Sequence, residues 1–129
     1  MSLLFALALA SAAPPPRLTF DGVPFGERRA LRCIWFTNFE NSRFEQCRDA
    51  RGPLLREGDG ASIACVPILC KRLDAAARKA SARRGSDPPS GLFTIRIVGR
   101  LSVVPRTPRY LGDATRSVLV EEVISVARR

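Results

Sequence analysis

A mainly β domain with one helix is the fold class that the sequence predicts, on three observations. Residues 92–104 alternate apolar and polar side chains with period two. Residues 68–84 carry an Ala-rich apolar stripe at helical spacing, and residues 30–47 hold two aromatic runs separated by a polar turn. These lie in a chain of 129 residues with ten Pro, four Cys, no His and a formal charge of +9.

The chain opens MSLLFALALASAAPPPR. Leu3 to Ala10 form an apolar run, and Ala10-Ser11-Ala12 offers the small residues that a signal peptidase needs, so residues 1–12 are expected to be an export signal peptide. The run is far shorter than the roughly 20 residues that cross a bilayer, and no later stretch reaches that length, so no transmembrane anchor is expected. Residues 13–17 are a Pro-rich linker, since three consecutive prolines hold neither a helix nor a sheet ladder. What remains, 18–129, has the size of one domain with one modest core. The expected location is the periplasm or the outside of the cell.

Each element follows from its own residues. Thr19 to Gly26 contains Asp21-Gly22 and Val23-Pro24, turn chemistry that suits a loop or an edge segment. Ala30 to Thr37 and Ser42 to Cys47 read as two antiparallel strands. If the chain reverses at Glu40, counting outward sets Cys33 against Cys47 and Phe36 against Phe44. Arg51 to Gly60, with three Gly and one Pro, is a surface loop, and Ala61 to Val66 is a third short strand. Pro67 suits a first helical turn, and Ile68 to Arg84 places Leu69, Leu73, Ala76, Ala77 and Ala80 on one face, with Gly85 as the cap. The other face carries Lys71, Arg72, Arg78, Lys79 and Arg83 and reads as a solvated surface. Leu92 to Val104 is the strand with the clearest alternation, and Gly99 within it marks a bulge or a sharp coil. After the loop PRTPRYLGDATR, the segment SVLVEEVISVA reads as a strand, because its five β-branched residues outweigh its two glutamates. The order is strand, strand, strand, helix, strand, strand. It predicts a five-stranded OB-like barrel with the helix between strands 3 and 4, the apolar helix face plugging the open end.

Four cysteines in an exported chain predict two disulfides. Three connectivities are possible. Cys33–Cys47 together with Cys65–Cys70 is favoured by the hairpin count, and pairing of Cys47 with Cys65 across adjacent strands is the alternative. A metal site is not expected, because the intervals between the cysteines fit no common zinc pattern and no His is available. No cofactor is expected either, since no glycine pattern matches a phosphate loop.

The stretch FENSRFEQC (Phe39, Glu40, Ser42, Phe44, Cys47), followed by VGRLS at 98–102, RYLGD at 109–113 and RSVLVEEVISV at 116–126, resembles a family of small uncharacterised bacterial exported proteins with an OB-like domain. The motifs span most of residues 18–129. The chain departs from the family pattern in lacking a loop histidine and a Trp-rich strand before the helix. No activity comes with the family, so the resemblance implies a fold and a compartment rather than a reaction.

Trp35, Phe36, Phe39 and Phe44 are expected to supply bulky packing. Glu40 and Ser42 are expected to bond the backbone at the turn, with Arg100 or Arg109 as a partner of that turn. The functional alternative makes Glu40 and an aromatic face a site for a cation or a sugar. Tyr110, in the RYLGD motif, completes the candidate residues. An enzyme is not expected: without His, the usual nucleophile and metal arrangements are missing. The expected function is that of a small, monomeric exported binding or accessory protein that engages an anionic envelope component or a protein partner. The alternatives are OB-type nucleic-acid binding, which export disfavours, and a structural or inhibitor-like domain stapled by disulfides.

Overall fold

In a computed structural model, which describes residues 18–38, 40–81, 89–108, 110 and 113–129, the period-two stretches are strands and the Ala-rich stretch is the one helix. The elements run β1 (Leu18–Phe20), β2 (Val23–Phe25), β3 (Arg29–Thr37), β4 (Ser42–Asp49), β5 (Gly52–Pro53), β6 (Ala61–Ala64), α1 (Pro67–Ala80), β7 (Gly91–Leu101) and β8 (Ser117–Arg128). The expected signal peptide and linker, Phe39, Gly85 and Arg109 lie outside the described residues.

Thr19 to Gly26 forms the small β1–β2 hairpin. Asp21 and Gly22 both have positive φ, 51° and 74°, as a two-residue hairpin turn requires. The hairpin packs Val23 and Phe25 on Leu119, which explains why β8 starts with three successive buried residues, Val118, Leu119 and Val120. A strand covered on both faces loses the alternation that marks a half-exposed one.

The larger sheet runs β3–β7–β8–β6–β4–β5, and β3 also pairs with β4. Each of β3, β4, β6, β7 and β8 therefore has a hydrogen-bonded neighbour on either side. All of these pairings are antiparallel except β6 with β8, which is parallel. The interior holds Trp35, Phe44, Phe93, Ile95, Ile97, Val118 and Val120 together with Leu73 and Ala77 of α1.

The β3–β4 hairpin reverses near Glu40, and Cys33 does lie opposite Cys47, joined to it by a disulfide with Cα atoms 4.1 Å apart. The second disulfide links Cys65 to Cys70 at the start of α1. The expected pairing of Phe36 with Phe44 is not present: a register shift between Ile34 and Trp35 sets Trp35 against Phe44 and Phe36 against Arg43. Glu45 is the additional residue on β4. Its insertion turns Phe44 inward beside Trp35, where both are buried, and leaves Phe36 half-buried on the outer face.

A shift also occurs at Gly99, as its position in the sequence suggests. The partners of β7 skip Glu121 between Val98 and Gly99, and skip Ile124 between Arg96 and Ile97. A Cβ at Gly99 would stand 2.5 Å from the Leu119 carbonyl oxygen, so the close approach of β8 needs glycine here. The helix carries Leu73 and Ala77 into the core as expected and, among the described residues, runs to Ala80; the Ser81 hydroxyl donates to the Ala77 carbonyl at 2.6 Å.

Asp49 closes the far end of the hairpin. Arg29 Nη1 donates to its Oδ2 at 2.7 Å, and the Arg51 N–H donates to its Oδ1 at 2.8 Å. The Arg29 bond first, then the Arg51 N–H, holds the carboxyl below the usual carboxylate range. A carboxyl whose pKa is depressed by folding stabilises fully above its unfolded pKa of about 4, and that contribution fades as pH falls through the lower folded value. The melting temperature should therefore drop as pH falls below about 4, and Asp49→Asn should lower it at neutral pH while flattening the acid limb. Melts of both proteins from pH 7 to pH 2 by circular dichroism check this.

Candidate functional site

Two surfaces of the β3–β4 region are candidate sites. The first is a groove of about 590 Å³ lined by Phe36, Glu40, Asn41, Ser42, Arg43, Glu45, Ser62, Ile63 and Asp113. Its rim is the β3–β4 turn, which Asn38 fixes: its Oδ1 accepts from the N–H groups of Glu40 at 2.9 Å and Asn41 at 2.6 Å. Asn38, rather than Glu40 or Ser42, is thus the residue that bonds the turn backbone, a role that an asparagine at the start of a reversal signals. The Ser42 hydroxyl instead accepts from the Trp35 indole N–H at 2.8 Å, giving the buried ring its polar partner. Arg43 and Glu45 form a two-pronged pair, with Nε–Oε1 and Nη2–Oε2 both at 3.1 Å.

The structure brings some of the expected residues together and separates others. Glu40 and Ser42 line the groove. Tyr110 is 75% exposed and reaches the groove through Asp113, whose carboxylate accepts from the Tyr110 N–H at 3.0 Å. Trp35 is in the core, its ring centroid 5.5 Å from that of Phe93. Arg100 is not a partner of the Glu40 turn. It donates to Glu121 at 2.7 Å and to the Gly26 carbonyl at 3.1 Å, tying the β7–β8 shift to the segment before β3. Among its described lining residues Glu40, Asn41, Ser42, Arg43 and Glu45 are polar or charged, so the groove suits hydrogen-bonding groups.

The second surface is a row of arginines on the outer face. Arg32 lies directly opposite Arg48 on β4 and directly opposite Arg96 on β7, and all three are exposed. Opposed residues on neighbouring strands have Cα atoms about 4.5–5.5 Å apart, so three like charges stand side by side at a cost in stability. The row has no internal compensation. Among the described residues, none of the three guanidinium groups makes an ion pair or hydrogen bond, whereas Arg28, Arg29, Arg43 and Arg100 all hold carboxylates. Two carboxylates close to the row in sequence or register are engaged elsewhere: Asp49, next to Arg48, by Arg29 and Glu122, opposite Val98, by Arg28. Two open hollows flank the Arg32–Arg48 pair. One, of about 400 Å³, adds Arg96 and Ile124, and the other, of about 250 Å³, adds Ile34, Thr94 and Arg129.

Sequence reasoning missed this row, yet part of its signal was present. The count that sets Cys33 against Cys47 also sets Arg32 against Arg48. Arg96 joins them only through the β3–β7 register, which no local pattern encodes. Chemically, the row can neutralise closely spaced negative charges, and guanidinium forks suit phosphate and carboxylate oxygens. Among the described residues, no group of three His, Cys, Asp or Glu is placed to hold a metal ion, and no helix is long and apolar enough to cross a membrane. Compared with known proteins, the chain matches no family model, no curated protein and no solved structure.

Proposed function

We propose that the protein is an exported, non-enzymatic binding protein, an OB-like barrel that engages an anionic component of the cell envelope through the arginine row. The barrel reading is supported by the circuit of pairings β3–β4–β6–β8–β7–β3 and by the helix between β6 and β7. Export is supported by two disulfides that use all four cysteines. The observation that carries the binding reading is the row itself: three opposed arginines without protein partners are unfavourable alone and become favourable once an anion lies across them.

The groove favours a second, separate contact with a protein partner, since its polar rim of Glu40, Asn41, Arg43 and Asp113 offers both donors and acceptors. Nucleic-acid binding by stacking draws less support, because Trp35, Phe44 and Phe93 are buried, while the accessible Phe36 and Tyr110 lie at the groove beside Glu40 and Glu45.

Titration with inorganic polyphosphate, followed by calorimetry, tests the reading. The oxidised protein should bind, with affinity falling as salt rises. Arg32→Gln/Arg48→Gln/Arg96→Gln should lower that affinity about tenfold, taking about 0.5 kcal/mol for each exposed charge contact, and Glu40→Gln should leave it unchanged. Equal binding by the triple variant would contradict the assignment.

A further inference from the structure

We infer that the arginine face docks on the surface of an anionic phospholipid bilayer; this deepens the anion-binding reading and rests on it. Three features of the face select a lipid surface. The first is that the arginines stand side by side on an open face rather than inside a pocket. Arg48, Arg32 and Arg96 sit on three adjacent strands, a span of about 10 Å at roughly 4.8 Å per strand, with an open hollow on either side of the Arg32–Arg48 pair. Such a surface meets phosphates presented side by side, not one phosphate enclosed in a pocket. Arg129 also lines the smaller hollow.

The second feature is aliphatic. Leu92 and Ile124 are 44% and 56% exposed. Ile124 is the residue skipped by the β7 register and lines the larger hollow with Arg96, and Leu92 lies four residues before Arg96 on the same side of β7. Ile34 and Val98, half-buried, belong to the same face. Cations interleaved with exposed aliphatic side chains match the boundary between phosphate headgroups and acyl chains. The third feature is that the ring on this face, Phe36, half-buried opposite Leu92, lines neither hollow. Among the described residues that line the two hollows there is no Phe, Tyr or Trp, so a single-stranded nucleic acid would find phosphate contacts but no stacking platform.

Co-sedimentation with vesicles tests the proposal, using the disulfide-intact protein. Vesicles of phosphatidylcholine with 30% phosphatidylglycerol, an amount of roughly the order that gives biological membranes their surface potential, are compared with phosphatidylcholine alone. The protein should partition to the anionic vesicles only. Arg32→Gln/Arg48→Gln should weaken partitioning roughly 25-fold, about fivefold for each arginine at the surface. Lys71→Gln/Lys79→Gln, which removes the same charge from the exposed face of α1, should weaken it far less. Leu92→Ser/Ile124→Ser should reduce the fraction that stays bound in high salt. Circular dichroism melts of each variant show that the fold is kept. Equal losses in the helix and row variants would overturn the proposal by reducing it to net charge. Row-dependent binding of polyphosphate or of a single-stranded oligonucleotide without vesicle binding would overturn the lipid assignment and leave the anion-binding reading intact. Binding to none of these probes would overturn both.

Discussion

Replacing Trp35 with Ala should lower the free energy of unfolding by about 3–5 kcal/mol, the range for emptying a large aromatic site in a packed core. The indole is 1% exposed, lies against Phe93, and shares the interior with Phe44 because the Glu45 insertion turns Phe44 inward. Its N–H also donates to Ser42, so the ring contributes packing and a satisfied donor together. The two contributions can be separated. Ser42→Ala leaves the buried N–H without its partner and should cost about 1–3 kcal/mol. Trp35→Phe removes the donor along with part of the volume and should fall between Ser42→Ala and Trp35→Ala. Urea unfolding followed by circular dichroism measures all three, and a Trp35→Ala loss below that of Ser42→Ala would contradict the core assignment.

Removing the Cys33–Cys47 disulfide should be nearly as damaging. It joins residues 14 apart and both cysteines are buried, at 1% and 0% exposure. Constraint of the unfolded chain gives about 3 kcal/mol for a loop of that length and about 2 kcal/mol for the short Cys65–Cys70 loop. Burial adds a packing loss when Cys33→Ala/Cys47→Ala empties the site between β3 and β4. Cys33→Ala/Cys47→Ala should therefore lower stability more than Cys65→Ala/Cys70→Ala, whose second loop lies at the start of α1. For a domain of this size, where net stability is about 5–15 kcal/mol, the first loss removes a large fraction of the total. Unfolding curves in guanidinium for the two double variants check the order.

The sequence carried the local features further than the non-local ones. Alternation at 92–101, the helical stripe at Leu73 and Ala77, and the symmetric placement of Cys33 and Cys47 about Glu40 are patterns within single segments, and each corresponds to an observed element. Counting through the turn failed beyond Ile34 because it assumes a constant register. The added residue Glu45 is decided by what Phe44 can bury against, and that is settled by β7, more than 40 residues away. The β1–β2 hairpin was legible as turn chemistry, but not its role in covering Leu119. The arginine row shows the same division. Arg32 and Arg48 follow from one hairpin count, while Arg96 and the two hollows require the register between β3 and β7. The Glu40 turn was read correctly as a polar reversal, yet its organising residue is Asn38, and Arg100 belongs to a different junction.

In the proposed reading, Arg32, Arg48 and Arg96 stand unpaired to receive an anion. The arginine Nε–H signals of the folded protein, followed by nuclear magnetic resonance during addition of polyphosphate, test it residue by residue. The signals of these three should move together and saturate at one ligand concentration, while those of Arg43 and Arg100, already engaged by Glu45 and Glu121, stay in place. Equal small shifts across all arginines, or movement confined to Arg43 at the groove, would contradict it.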